Sequence, residues 1–124
     1  MKAFLKNYRQ SPRKMRLVAD YIRGKKVETA RILLDALPKR AALPIKKLLL
    51  SAMANAKNNA EGGVPASGLY VKEIRVDEGP SLKRHMPRAF GRSAQILKRT
   101  SHVSIHLAAR EELKDQNAKI KTQN

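Results

Sequence analysis

Metal and proton-transfer sites are most often built from histidine and cysteine, and this chain has His85, His102 and His106 but no cysteine. His102 and His106 are four residues apart, a ligand spacing on a helix, yet their segment alternates apolar and polar residues with a period of two. On a strand that spacing separates them by about 13 Å, too far to share one metal ion. No thiol nucleophile is present, and Gly62-Gly63 lacks the following lysine and helix of a phosphate-binding loop. Neither catalysis, nor a metal centre, nor a cofactor is expected.

What the residues do offer is the chemistry of crowded cations. From Gly79 to Arg110 there is no acidic side chain, and the middle of that stretch reads Gly-Pro-Ser-Leu-Lys-Arg-His-Met-Pro-Arg-Ala-Phe-Gly-Arg. Lys83, Arg84, Arg88 and Arg92 cannot enter a compact core without leaving buried charge unpaired, so their partner lies outside the chain and is a polyanion. The whole chain agrees: 27 Lys and Arg against 10 Asp and Glu give a net charge of +17, the electrostatic footprint of a nucleic-acid binder. No apolar run approaches the roughly 18–20 residues of a spanning helix, so no membrane partner is expected. Residues 1–19 are basic without the continuous apolar stretch of a signal peptide. The lack of cysteine suits a reducing compartment, and the cytoplasm is the default location.

The elements that must position these cations follow from periodicity. Phe4 and Tyr8 favour an extended strand over residues 3–8. Ser11-Pro12 starts a helix, with Ser11 able to accept at the N-cap and Pro12 at the first helical position; Met15, Val18, Ala19 and Ile22 form its apolar stripe, leaving Arg13, Lys14, Arg16 and Arg23 off it, and Gly24 ends it. Val27, Ala30, Leu34 and Leu37 predict a second helix that stops before Pro38. Ile45, Leu48, Leu49, Ala52, Met53 and Ala56 predict a third, with Pro44 in its first turn and residues 58–63 closing it. Its alanine-rich second half requires a close neighbour, preferably the sheet.

From Leu69 the period becomes two. Leu69 and Val71 fall on one face but Ile74 and Val76 on the other, which predicts a bulge or a change of buried face. Leu97, Val103, Ile105 and Leu107 alternate against Lys98, His102, Ser104 and His106. About sixteen residues, Gly79 to Ala94, separate the two strands, and structureless loops of that length are rare. If both strands continue past the core, each arm of about thirteen residues reaches on the order of 40 Å, giving a projecting ribbon too poor in apolar residues to hold itself in water and ordered by what it binds. The expected architecture is α+β: three helices packed on a small antiparallel sheet from which a long β-hairpin projects. Residues 1–109 are expected to form one nucleic-acid-binding domain with the hairpin at about 72–102, and residues 110–124 a polar, flexible tail.

At this point an ordered series of motifs is on view: Ser11-Pro12-Arg13-Lys14-Met15-Arg16-Leu17-Val18-Ala19-Asp20, Ile22-Arg23-Gly24-Lys25, Ser51-Ala52-Met53-Ala54-Asn55-Ala56, Val76-Asp77-Glu78-Gly79-Pro80, Lys83-Arg84, Met86-Pro87-Arg88-Ala89, Gly91-Arg92 and Ile96-Leu97-Lys98-Arg99-Thr100-Ser101-His102. In these the chain resembles the large-subunit ribosomal protein L-twenty-two family, over roughly residues 3–107. The resemblance implies a small domain on the outer surface of the large subunit and a hairpin threaded through ribosomal RNA to the wall of the peptide exit tunnel. Phe90 stands where that family often has a basic residue, and Gln95 where it often has Arg.

The candidate RNA-binding residues are Arg13, Lys14, Arg16, Arg23, Lys25, Lys83, Arg84, Arg88, Arg92, Lys98 and Arg99. The candidate tunnel-lining tip is Lys83, Arg84, His85, Met86, Pro87, Arg88, Ala89, Phe90, Gly91 and Arg92. Expected partners are large-subunit ribosomal RNA, neighbouring ribosomal proteins and the nascent polypeptide, with the chain a monomer in the ribosome. A basic-arm DNA-binding nucleoid protein and a free RNA chaperone are the rival readings.

Overall fold

The computed structural model describes residues 1–59 and 68–109. The chain runs β1 (Lys2–Tyr8), α1 (Pro12–Ile22), α2 (Val27–Ala36), α3 (Ala42–Asn59), β2 (Leu69–Glu78), β3 (Leu82–Pro87), β4 (Ser93–Lys98) and β5 (Ser101–Ala109). The α+β class and the three helices of the sequence reading are present. The predicted tail and the Gly62-Gly63 end of the third helix fall outside the described residues.

Pro12 is the first residue of α1, where its missing N–H leaves no helical bond unmade. Ser11 occupies the N-cap position with extended backbone, but its hydroxyl makes no capping bond. The Lys14 and Met15 amides donate instead to the Ser11 carbonyl, at 3.1 and 3.2 Å. Met15, Val18, Ala19 and Ile22 form the buried stripe. The turn after α1 uses Gly24 in the left-handed region, φ +73°, and delivers the chain to the edge of β2: Gly24 N–H donates to the Val71 carbonyl at 3.0 Å, and Val71 N–H to the Lys25 carbonyl at 2.9 Å. In α3 the fully buried Ala52 and Ala56 let the helix lie close against β1 and β5, as its small residues required.

The core sheet has the order β1–β5–β2, with β5 antiparallel to both neighbours. The register of β2 against β5 shifts between Val71 and Glu73, and this bulge restores Ile74 and Val76 to the buried face that Leu69 and Val71 already occupy. The core rests on Met15, Ile22, Ile45, Leu49, Ile74 and Ile105, all almost wholly inaccessible, with no Phe or Trp among its buried residues.

The two arms are not one continuous ladder. β2 and β5 end at Glu78 and Ser101, and the outer strands β3 and β4 pair separately from Leu82↔Lys98 to Pro87↔Ser93. The cause lies in Gly79-Pro80-Ser81. Pro80 has no N–H to give to a ladder, and the junction is closed by other bonds: Gly79 N–H to the Thr100 carbonyl at 3.0 Å and the Thr100 hydroxyl to the Pro80 carbonyl at 2.7 Å.

Candidate nucleic-acid interface

The outer ribbon begins at that junction. A Cβ on Gly79 would stand 2.5 Å from the Thr100 hydroxyl and 3.2 Å from His102 Nε2, so glycine is what lets the two arms approach this closely here. Arg99 pairs with Glu78 across the junction, and Arg9 donates to the Arg99 carbonyl at 2.6 Å. Asn7, in the left-handed region at φ 53°, donates its amide to His102 Nδ1 at 3.0 Å. That bond makes Nδ1 the acceptor and assigns the proton to Nε2 when the ring is neutral.

Beyond the junction every residue of β3 is exposed. The register places Leu82, Arg84, Met86, Ala94, Ile96 and Lys98 on one face, and Lys83, His85, Pro87, Ser93, Gln95 and Leu97 on the other. The ladder closes with a loop in which Arg88 N–H donates to the Arg92 carbonyl at 2.7 Å. Phe90 (φ 58°, ψ 37°) and Gly91 (φ 68°) are both left-handed. Phe90 is 99% exposed. Among the described residues Lys83, Arg84, Arg88, Arg92 and Lys98 pair with no carboxylate, so the predicted cationic tip is assembled and uncompensated.

The helical cations divide. Arg13, Lys14 and Lys25 are exposed and, among the described residues, make no ion pair; the Lys25 ammonium stands 5.9 Å from the Tyr21 ring centroid. Arg16 and Arg23 also do internal work: Arg16 Nε donates to the Val76 carbonyl at 3.2 Å and Arg23 Nη2 to the Ile74 carbonyl at 3.1 Å, while Arg23 Nη1 meets Asp20 at 2.7 Å. β2 is an edge strand, and these two side chains cover the carbonyls that it turns outward. A guanidinium has five N–H donors, so each retains donors for a partner.

Arg9 and Arg40 were missed in the sequence. They stand in connections, where no periodicity marks them, and the fold brings them beside Lys14 and Arg99 around a cavity of about 490 Å³. The histidines stay apart from any such site. His106 faces Glu73 (Nδ1 to Oε2, 3.9 Å) on the outer side of the sheet. Burial, followed by the nearby Lys2, pushes the His106 imidazole below its usual value, and the hydrogen bond from Arg75 holds the Glu73 carboxyl below its usual range. Among the described residues no group of three or more His, Cys, Asp or Glu could hold a metal ion, and no helix is long and apolar enough to cross a membrane.

A helical layer over a small sheet, extended by a ribbon of unpaired cations, defines the class: a basic α+β protein of the nucleic-acid-binding kind. The family model described as ribosomal protein L22p/L17e matches residues 3–108, and the chain belongs to that family. It is 59% identical over 104 residues to the large ribosomal subunit protein uL22 of Mesoplasma florum, covering 84% of this chain and 91% of that one. The protein of the same name in Mycoplasma capricolum subsp. capricolum is 61% identical over 104 residues, 84% and 92% of the two chains. That of Desulfitobacterium hafniense is 50% identical over 111 residues, 90% and 96%.

Proposed function

We propose that this chain is a structural, non-catalytic constituent of the large ribosomal subunit in the cytoplasm, binding and organising large-subunit ribosomal RNA, with its hairpin tip lining the peptide exit tunnel. Beyond its membership of a ribosomal protein family, one observation carries this reading: the cations of the outer ribbon, Lys83 to Lys98, have no carboxylate partner among the described residues, and no residue of the ribbon belongs to the domain's core. Phosphates drawn from several RNA helices supply the missing counter-charge, and a narrow ribbon enters where a globular surface cannot. Arg13, Lys14, Lys25 and the free donors of Arg16 and Arg23 hold the domain to RNA; Lys83, Arg84, Arg88, Arg92, Lys98 and Arg99 hold the ribbon. His85, Met86, Pro87, Ala89, Phe90 and Gly91 complete the tip, where the solvent-facing Phe90 offers an apolar surface to an emerging peptide. Neighbouring ribosomal proteins complete its surroundings, and it acts as a single copy.

Two experiments test the reading. The chain is expected to co-sediment with large subunits at moderate salt, which a nucleoid protein or free chaperone would not do. At the tip, Gly91→Asn and Gly91→Asp both accept the left-handed backbone more readily than other residues do, and only the second adds an anion. Ribosomes with Gly91→Asp should differ from the Gly91→Asn form in crosslinking from position 88 to RNA and nascent chains. Equal crosslinking in the two would remove the tip from the tunnel wall.

A further inference from the structure

The strongest unassigned feature lies along the flank of α1, bordering its buried stripe at Val18. A cavity of about 540 Å³ opens between α1 and the connection from α2 to α3, with an apolar lining from Leu17, Val18, Tyr21 and Leu37 and a cationic rim from Lys14, Lys39 and Arg40. It shares Gln10, Lys14 and Arg40 with the polar cavity that reaches Arg9 and Arg99 at the base of the ribbon. The two are halves of one cleft, one half cationic and one half apolar.

Among the described residues no carboxylate lines either half, and Arg9, Lys14, Lys39 and Arg40 have no ion-pair partner. An anion is therefore the complement of the polar half. In the other half Leu17 and Tyr21 remain 70% and 46% exposed although they border an apolar concavity, and its volume lies in the range of small-ligand sites. The Tyr21 ring gives this half an aromatic surface beside the aliphatic Leu17 and Leu37. An anion beside a flat ring that packs on aromatic and apolar side chains is the chemistry of a nucleotide. RNA recognition outside double helices works in this way, with unstacked bases laid on aromatic and apolar side chains.

We infer that this cleft holds one unstacked nucleotide of folded RNA, its phosphate among Arg9, Lys14, Arg40 and Arg99 and its base against Leu17, Tyr21 and Leu37. The inference rests on the proposed ribosomal role and names a site within it. The site acts as an anchor at the root of the ribbon, since Arg9 and Arg99 belong to both the cleft and the junction.

The test replaces Leu17, which is exposed, by a diazirine analogue of leucine in the full chain, assembles it into large subunits and irradiates them. Crosslinks should fall on one nucleotide of the large-subunit RNA or its immediate neighbours. Changing Leu17 and Tyr21 together to Ser should raise the reactivity of that nucleotide to base-specific reagents about tenfold, the scale of one lost stacking contact. Crosslinks to another protein, scattered RNA crosslinks, or none from subunits that contain the chain would each overturn the inference and leave the ribosomal role intact. Failure of the unaltered chain to co-sediment with large subunits would overturn both.

Discussion

Single residues decide the geometry of the junction between the inner and outer ribbon. Gly79 is there for space: its φ is not in the left-handed region, but a Cβ would meet the Thr100 hydroxyl at 2.5 Å. Gly79→Ala must push that hydroxyl off the Pro80 carbonyl, so we expect a loss of about 1–2 kcal/mol, from a displaced contact and one hydrogen bond. Thr100→Ala removes both the obstacle and the bond. Thermal denaturation of the two single variants and the double variant should therefore show strong non-additivity, the double costing little more than Thr100→Ala alone. Additive losses would mean that Gly79 is needed for some reason other than the hydroxyl.

At the scale of elements, α1 holds β2 in two ways. Its apolar stripe packs on the inner face of the sheet, and Arg16 and Arg23 reach the outward carbonyls of Val76 and Ile74. Arg16→Ala and Arg23→Ala are each expected to cost about 0.5–1.5 kcal/mol, the usual net value of a partly exposed hydrogen bond, measured by urea denaturation. The Arg13→Ala and Lys14→Ala variants, which lose no internal bond, should keep the stability of the parent. A stable Arg16→Ala, Arg23→Ala double variant would show that the edge of β2 needs no cover.

For the molecule as a whole, the core of the described residues lies in the helices, the inner sheet and Ala41 just before α3; no residue of the outer ribbon belongs to it. Shortening the ribbon should therefore leave the domain's unfolding free energy within about 1 kcal/mol of the parent. The register dictates how: Leu82, Lys83 and Arg84 face Lys98, Leu97 and Ile96, so both triplets must go together. Deleting 82–84 alone would shift the pairing by an odd number and exchange the two faces. A fall in thermal midpoint for the balanced deletion would show the ribbon folded onto the domain.

By itself the sequence determined the partner class and most of the elements. The acid-free run from Gly79 to Arg110 required an external polyanion because buried charge demands a counter-charge, and helical spacing of Met15, Val18, Ala19 and Ile22 required a one-sided helix. Alternation that failed between Val71 and Ile74 required either a bulge or a change of buried face, since a period of two cannot otherwise be interrupted, and the structure chose the bulge. Tertiary structure alone decided what depends on residues distant in the chain. It made Arg16 and Arg23 covers for an edge strand, divided the ribbon where Gly79 meets Thr100, and gathered Arg9, Lys14, Arg40 and Arg99 around one cavity. None of these has a local signal. Periodicity reports which way a side chain faces on its own element, whereas a carbonyl left open on a strand or a cation drawn from a loop acquires its meaning only from what the fold sets beside it.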